Sequence, residues 1–550
     1  MSSHPPRGTP TAASRADGTR AALCIVAALI ASVLLASCFP LLDPDEGRNA
    51  EIAREMARSG SLLVPTLEGM PYLDKPPGFF WVDALAIRLA GATRQAARSP
   101  SAAAAALTLW LVWRRARGVL PGNAALLAVG LLATAPLFAI LSAYVIFDMP
   151  LTFCVAAVWT LLAEEVERGP GMLRRAAMYA AVTAGVLIKG PVMLAWAIGG
   201  SVGASLLLRR LQPMQWLRWP PGWLMVLGIA GGWFAIASAR YPEYPHYAFA
   251  EETFERIASG SFRREHPPWF VPLVLVAGAL PWSLATPWTS RISTAGRVGL
   301  GFVLFAIVFF TVSRSKLATY LLPCLPPLAL VASESWRASW KGGAWRVTVV
   351  YATLALVCAA IGLHWISLPS KHVVQSFLLP ALPLAVAFVL LAGVSVLGVF
   401  TRRSGFTFAA LLAFTPVTLA VAGSSLVRYA ASESGEPLAG AIASAEPGGS
   451  LRFERCYSAG TEFALDRRSD LLSARGAETT STYQFRYRER LLERGQWTLL
   501  SEPPVPDRAS VIVRPMRNPG DVPPEGMSAF YEDRRFVAYG RVRSEPGETE

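Results

Sequence analysis

The sequence has little charge, few histidines and few cysteines for its length, and each shortage excludes a class of protein. Charged residues make up 16% of the 550 residues and hydrophobic residues 53%, a balance that is rare in soluble domains. The six cysteines provide no disulfide framework and no CxxC metal motif. The five histidines have no metal-ligand spacing, and there is no GxGxxG or P-loop motif to support nucleotide binding.

Repeated apolar runs are what the sequence does contain. Runs of roughly 17 to 23 residues are long enough to cross a bilayer as helices. We count about thirteen, so the predicted fold is an all-α polytopic membrane protein. The predicted spans are 21–42, 100–113, 122–141, 145–163, 176–188, 191–208, 222–238, 269–288, 298–313, 318–335, 347–366, 377–399 and 406–427.

The net charge of +13 is explained by the loops of this bundle rather than by nucleic acid. After Tyr429 acidic residues outnumber the arginines, so the positive excess lies in the membrane part. With the tail 1–20 inside, every inside loop is basic, as the positive-inside rule requires. An odd number of spans then places the chain after Val427 outside. In a bacterial inner membrane, that side is the periplasm.

Three outside parts are too long to be plain connections. Within the membrane part, 21–428, these are the loops 43–99 and 240–268, and the first should carry surface helices at 46–59 and 79–89. Ile52 and Met56 would form the apolar face of the first helix, opposite a charged face of Glu51, Arg54, Glu55 and Arg58. The third part, 433–550, shows short β-like runs and a helix near Thr482 to Leu492, which predicts a small soluble α/β domain.

The first outer loop holds the strongest candidates for chemistry. In DPDEGR, Asp43 and Glu46 fit a helix cap, whereas Asp45 and Arg48 lie three residues apart on one face without that explanation. In YLDKPP, Lys75 is on a stiff, extended segment, where its ammonium could hold a phosphate or only a lipid head group.

Other ionisable residues are predicted at the same outer face. Asp148 in FDMP is either functional or a helix cap. Lys189 in LIKGP fits a cation that reaches the interface, and Arg256 could bind an anion or pair with Glu252. The segment SRSKLATYLLP supplies two cations and a phenol, with Lys316 and Tyr320 as further anion ligands.

Together these motifs resemble the integral-membrane GT-C glycosyltransferases that use polyprenyl-phosphate sugars. The resemblance is to the lipid A aminoarabinose transferases and, more distantly, to the protein O-mannosyltransferases. DEGRNAEIAREM, YLDKPP, FDMP, LIKGP and SRSKLATYLLPCLPPLAL are each similar to a family motif, in the same order. The resemblance implies about thirteen spans, surface helices in the first outer loop and a periplasmic C-terminal domain.

The resemblance also implies roles for particular residues. Asp45 matches the catalytic carboxylate of the first loop and Asp148 the second acidic position. Positions around the carrier phosphate are matched by Arg48, Tyr72, Lys75, Arg256 and Tyr320, with Lys316 as an additional cation.

Three positions depart from the family pattern. Asn49 replaces a Tyr, Asp74 a Glu and Thr253 a His. The last two lie near a metal site in relatives, so a divalent metal cofactor has only weak support. All three departures leave the sugar open.

The resulting prediction is an enzyme that moves a sugar from undecaprenyl phosphate to lipid A or another envelope glycolipid, with inversion. Cations would stabilise the leaving phosphate, and Asp45 would orient or deprotonate the acceptor hydroxyl. The expected partners are the sugar donor, the glycolipid acceptor and membrane lipids. A protein acceptor is one alternative. A transporter is another, although it predicts inverted repeats, whereas the charged groups here gather on one face.

Overall fold

A computed structural model of the chain describes residues 37–120, 124–255, 265–289, 292–338, 340–364, 380–446, 448–503, 509–516 and 522–541, together with positions 23, 27 and 34. The described chain is mainly helical up to Ser432, as the apolar runs predict. The α-helices of this part are α1 (Asp45–Ser59), α2 (Gly78–Ala90), α3 (Arg94–Arg117), α4 (Ala124–Ala133), α5 (Pro136–Leu141), α6 (Asp148–Arg168), α7 (Met172–Lys189), α8 (Val192–Leu208), α9 (Pro220–Arg240), α10 (Tyr244–His246), α11 (Phe270–Gly278), α12 (Trp282–Ala285), α13 (Thr294–Val312), α14 (Leu325–Ala338), α15 (Trp340–Gly362), α16 (Ala381–Phe400) and α17 (Ser404–Ser432).

Tighter and wider helical turns interrupt this pattern. Two 3₁₀ segments, Gln212–Arg218 and Ala318–Cys324, precede α9 and α14. A π turn, Val226–Gly231, lies within α9, and α10 continues as the π-helix Tyr247–Glu255. Such turns often mark functional places in helices, and two of these segments contact the cavity described below.

Six of the described helices are long and apolar enough to cross a membrane, namely α6, α9, α13, α16, α17 and the part Gly343–Gly362 of α15. Helices α4 and α8 are apolar but shorter. The predicted span 21–42 lies largely outside the described residues, so the number of thirteen crossings stays a prediction.

Prolines divide two of the predicted spans. The run predicted at 122–141 breaks before Pro136, and the run at 269–288 breaks at Pro281. Proline has no N–H to continue a helix, which explains both interruptions.

The bundle has a dense interior and an apolar exterior. Trp159, Trp196 and Trp282 are completely or almost completely buried in it. Large apolar side chains also cover its outside, including Val386, Val389 and Leu390 on α16. An apolar exterior of this kind is costly in water and suits contact with lipid.

The first outer loop folds as the predicted pair of helices, α1 and α2, joined through a small hairpin. Strands β1 (Thr66–Leu67) and β2 (Met70–Pro71) pair antiparallel between the helices. Gly60 ends α1 in the left-handed conformation with φ 68°, which glycine adopts without strain.

The predicted N-cap role of Asp43 is wrong, whereas Glu46 does accept a backbone amide just before the helix. Pro44 occupies the N-cap position of α1, with no side-chain cap. The Asp43 carboxylate accepts hydrogen bonds from Ser458 Oγ at 2.6 Å and from the Gly460 amide at 3.1 Å. Glu46 accepts the Leu42 amide at 3.1 Å and forms a buried ion pair with Arg98 at 2.6 Å. Partners that are distant in sequence therefore take the Asp43 oxygens that a local cap would use.

The predicted charged face of α1 is mostly enclosed by protein. Glu51, Arg54 and Glu55 are all buried. Helix α19, defined below, packs over this side of α1 and encloses an ion pair between Arg54 and Glu51 with an N–O distance of 2.5 Å.

The described C-terminal region, 436–541, contains a five-stranded sheet with short helices. Its helices are α18 (Glu436–Ala445), α19 (Ala459–Leu465), α20 (Thr482–Arg486) and α21 (Arg488–Glu493), and its strands are β3 (Leu451–Glu454), β4 (Asp470–Leu472), β5 (Val511–Pro515), β6 (Met527–Glu532) and β7 (Phe536–Arg541). The strand order is β4-β3-β5-β7-β6, with β4, β3 and β5 parallel and β7 antiparallel to both of its neighbours. The predicted β-runs at 451, 511 and 536 are strands, whereas the helix predicted at Thr482 to Leu492 is divided in two.

Candidate active site

One cavity of about 700 Å³ contains most of the predicted site residues. Its lining includes six of them: Asp45, Arg48, Tyr72, Lys75, Asp148 and Tyr320. Lys316 is buried next to this lining but is not part of it. Arg256 lies outside the described residues, so its predicted role is untested.

The start of α1 brings an acid and a guanidinium to the cavity. Asp45 Oδ1 and Arg48 Nη2 are 2.6 Å apart, one helical turn from each other. The Asp45 side chain is 54% exposed, so its carboxylate can reach a substrate that enters the cavity. Burial alone would lower the pKa of Arg48, but the neighbouring Tyr72, Asp45 and Asp74 raise it above the ordinary value. Arg48 is therefore a permanent cation.

Lys75 lies in a bend with Asp74, just before its two prolines, rather than on the predicted extended segment. Its ammonium donates to the Asp74 carbonyl oxygen at 2.8 Å and forms an ion pair with Glu252 of the π-helix. This pairing places Glu252 in the cavity lining beside Lys75. The alternative that Arg256 pairs with Glu252 falls outside the described residues. An ammonium that exchanges Glu252 for a phosphate could hold an anionic substrate.

A second acid–cation pair comes from two apolar helices. Asp148 begins α6 and Lys189 ends α7, and their charged atoms are 2.5 Å apart. The Lys189 ammonium also lies 4.8 Å from the centre of the Tyr320 ring, within cation–π range. The interpretation of Lys189 as a cation that only reaches the interface is therefore wrong, since its charge turns inward to Asp148.

Sequence reasoning could have found the pairing of Lys189 with Asp148. Lys189 lies at the same predicted outer face as Asp148, and an acid and a base at matching depth in neighbouring spans are expected to pair.

Tyr72 and the apolar wall shape the rest of the cavity. Tyr72 is 3% exposed and meets Phe80 edge to face with ring centres 5.9 Å apart. Burial raises the pKa of Tyr72, so its phenol stays protonated and can donate a hydrogen bond. The wall towards the helix bundle is apolar and is lined by Leu141, Ile146, Leu151, Trp196, Phe309, Phe310 and Leu317.

The Asp74 carboxylate is already occupied by protein donors. It accepts hydrogen bonds from the Tyr247 hydroxyl and from the backbone amides of Thr482 at 3.2 Å and Tyr483 at 2.9 Å. Within the described residues, no group of three or more His, Cys, Asp or Glu side chains is arranged to hold a metal ion. The side chain of Thr253 is outside that description.

One cavity at the end of the apolar bundle combines three cations, an exposed carboxylate and an apolar wall. This arrangement suits a substrate with an anionic head and a hydrocarbon tail. It defines the class as a membrane enzyme that handles lipid-linked anions.

Comparison with known proteins names the family. The chain is 32% identical over 400 residues to the undecaprenyl phosphate-alpha-4-amino-4-deoxy-L-arabinose arabinosyl transferase of Aeromonas salmonicida, covering 70% of this chain and 72% of that protein. It is 30% identical over 404 residues to the enzyme of the same name from Aeromonas hydrophila, again covering 70% and 72%. The chain therefore belongs to the family of these aminoarabinose transferases.

Two further comparisons agree with this family. Residues 74–231 match the family described as dolichyl-phosphate-mannose-protein mannosyltransferase. The crystal structure of ArnT from Cupriavidus metallidurans bound to undecaprenyl phosphate aligns with a TM-score of 0.79 at 24% identity, over 96% of this chain and 99% of that one. Its apo form aligns with a TM-score of 0.77 at 23% identity, over 97% and 100%. These alignments confirm the GT-C type of fold predicted from the motifs.

Proposed function

We propose that this protein transfers 4-amino-4-deoxy-L-arabinose from undecaprenyl phosphate to lipid A or a related envelope glycolipid. The names of its relatives support the donor and the sugar. The observation that carries the proposal is the placement of Arg48 and Lys75 in one cavity with the exposed carboxylate of Asp45.

The cavity can hold the donor by its two chemically different parts. The phosphate would bind Arg48 and Lys75, while the first isoprene units would lie on the apolar wall that includes Trp196, Phe309 and Phe310. Lys189 remains paired with Asp148 at the inner end of the cavity. A low-polarity wall beside fixed cations strengthens their attraction for the phosphate.

The reaction that fits these groups is a direct displacement at the anomeric carbon. The bond from that carbon to the carrier phosphate breaks, a bond to the acceptor oxygen forms, and any proton on that oxygen passes to Asp45. Undecaprenyl phosphate leaves with the negative charge, which Arg48 and Lys75 stabilise. One displacement inverts the anomeric configuration.

The proposed setting is a bacterial inner membrane with the cavity on the periplasmic side. We divide the chain into an inside tail, 1–20, a membrane domain, 21–428, and a periplasmic domain, 433–550. Basic inside loops support this orientation. A periplasm-dependent reporter fused after Glu550 should be active and a cytoplasm-dependent one silent; the reverse result would overturn the orientation.

Mass spectrometry of the cell envelope tests the function directly. Lipid A from cells that carry the gene should contain an aminoarabinose that is missing when the gene is deleted, and Asp45→Asn should fail to restore it. If deletion changes no lipid but removes a sugar from an envelope protein, the acceptor is a protein. Loss of neither modification would refute the transfer.

A further inference from the structure

The C-terminal region reaches into the cavity through one short segment. We call residues 480–483 the rim segment; Thr480 and Thr482 line the cavity beside residues of the first outer loop. No other described residue of the C-terminal region is in this lining. Among the described residues, the rim segment is therefore the link through which the C-terminal region can act on the substrate.

Asp74 fastens this segment at the N-terminus of α20. Its carboxylate accepts hydrogen bonds from the backbone amides of Thr482 and Tyr483. These amides lie in the first turn of α20 and so have no acceptor within the helix. The Tyr247 hydroxyl donates to the same carboxylate from the second outer loop. Asp74 thus joins three separate parts of the chain directly beside Lys75.

Thr480 contacts the guanidinium that the reaction needs. Arg48 Nη1 donates to Thr480 Oγ1 at 2.5 Å, while Nη2 donates to Asp45 at 2.6 Å. Arg48 Nε is buried with no partner among the described residues. The hydrogen bonds from Nη1 to Thr480 and from Nη2 to Asp45 therefore set the plane and direction of the guanidinium.

The backbone of Thr480 is itself unusual. Its φ is 59°, in the left-handed region that a β-branched residue rarely adopts. Such strain costs free energy and persists where the surroundings enforce it, often at functional sites. The backbone amides of Thr482 and Tyr483 donate hydrogen bonds to Asp74, which fixes the chain just after Thr480 and provides that enforcement.

We propose that Asp74 and Thr480 are positioning residues: Asp74 holds the rim segment in place, and Thr480 then orients Arg48 towards the carrier phosphate. This inference rests on the proposed function for the identity of the phosphate. It gives the C-terminal region a part in the reaction and Asp74 a role that requires no metal.

Binding of undecaprenyl phosphate alone, measured by quenching of intrinsic fluorescence in detergent, tests the positioning without the sugar. Thr480→Ala removes the hydroxyl and should weaken binding about tenfold, the usual effect of losing a hydrogen bond to a charged group. Thr480→Ser keeps the hydroxyl and should bind like the wild type. The rate of sugar transfer should follow the same order.

Asp74→Asn gives the sharper result because two explanations predict opposite changes in the affinity for undecaprenyl phosphate. Removing a negative charge near the site should tighten the binding of an anionic lipid if only charge matters. If Asp74 positions the rim segment, the loss of one amide acceptor should weaken binding, again about tenfold. The double variant Asp74→Asn/Thr480→Ala should bind no worse than either single variant, since both act through Arg48.

Equal binding by the wild type and Thr480→Ala, or tighter binding by Asp74→Asn, would overturn the inference while leaving the proposed function intact. Loss of binding in Thr480→Ser as well would mean that the segment is only structural. A wild-type protein that binds no undecaprenyl phosphate would refute both. Wild-type binding with the expected variant pattern but no aminoarabinose transfer would refute the proposed function alone.

Discussion

In helix α1 an acid is followed three residues later by an arginine three times, and two of these couples, Asp45–Arg48 and Glu51–Arg54, form ion pairs in different surroundings. Asp45 and Arg48 face the cavity, with the Asp45 side chain 54% exposed. Glu51 and Arg54 are 2.5 Å apart and both side chains are almost fully buried under α19. The spacing is identical, so access to a cavity distinguishes a pair that can react from one that joins two parts of the fold.

The enclosed pair belongs to a larger group of buried carboxyls. Glu51, Glu55, Glu68 and Glu462 lie together between α1, the β1–β2 hairpin and α19. Burial, together with the neighbouring carboxyl groups, raises the pKa of Glu51 and Glu68 well above the ordinary value. Burial also raises the pKa of Glu462. None of these four groups is in the cavity lining, so they serve packing rather than reaction.

The largest effect is expected at the open site, from Lys75→Ala. The change removes a cation that would contact the phosphate, and it takes the Lys75 ammonium away from Glu252 in the cavity lining. Transfer should fall by more than about a hundredfold, with normal insertion and melting temperature. Lys316→Ala is the matched control: it removes a lysine that does not line the cavity and should keep most of the activity.

If Lys75→Ala retained near-normal turnover, Lys75 would be a head-group contact only. A loss with Lys316→Ala equal to that with Lys75→Ala would show that overall charge matters more than position in the cavity.

The two pairs of α1 can be separated by changing one acid in each. Asp45→Asn should cut turnover about a hundredfold and leave undecaprenyl phosphate binding nearly unchanged, because the cations hold the phosphate. Glu51→Gln should destabilise the fold by about 3 kcal/mol, since Arg54 loses its buried partner, while each folded molecule keeps its rate. Turnover, lipid binding and thermal melting of both purified variants decide this. If Asp45→Asn and Glu51→Gln lost stability and rate to the same extent, the distinction between the two pairs would be contradicted.

A smaller effect, a gain in stability instead of a loss, is expected at Glu68 in the group of buried carboxyls. Because the raised pKa of Glu68 makes the folded state hold a proton more tightly than the unfolded chain, its cost to stability is absent below the ordinary value of 4.5 and grows as pH rises above it. Glu68→Gln should therefore be more stable than the wild type by ~1 kcal/mol at neutral pH. The difference should vanish as pH falls to about 4. Melting curves at several pH values would detect this, and a constant difference would contradict it.

The sequence alone predicts features that depend on local pattern. Apolar length locates many of the helices. The same local reasoning placed Lys75 on an extended segment, assigned Asp43 to a cap and set Glu51 on an outer charged face. Those predictions failed because packing against distant segments decides what a side chain meets.

Contacts between distant residues explain what could not be predicted. Lys75 and Glu252 are 177 residues apart, and Asp74 and Tyr483 are 409 apart. No periodicity or capping rule couples such positions. The resemblance to known enzymes pointed to residues of which six line one cavity, but it could not indicate that Asp74 binds backbone amides of the C-terminal region.

The contact between Arg48 and Thr480 has a consequence for how the enzyme is made. Arg48 leaves the ribosome early, whereas Thr480 is synthesised 432 residues later. The guanidinium can therefore gain its second anchor only after nearly the whole chain has been translated. Until then the nascent protein can occupy the membrane without the anchored guanidinium that the proposed reaction requires.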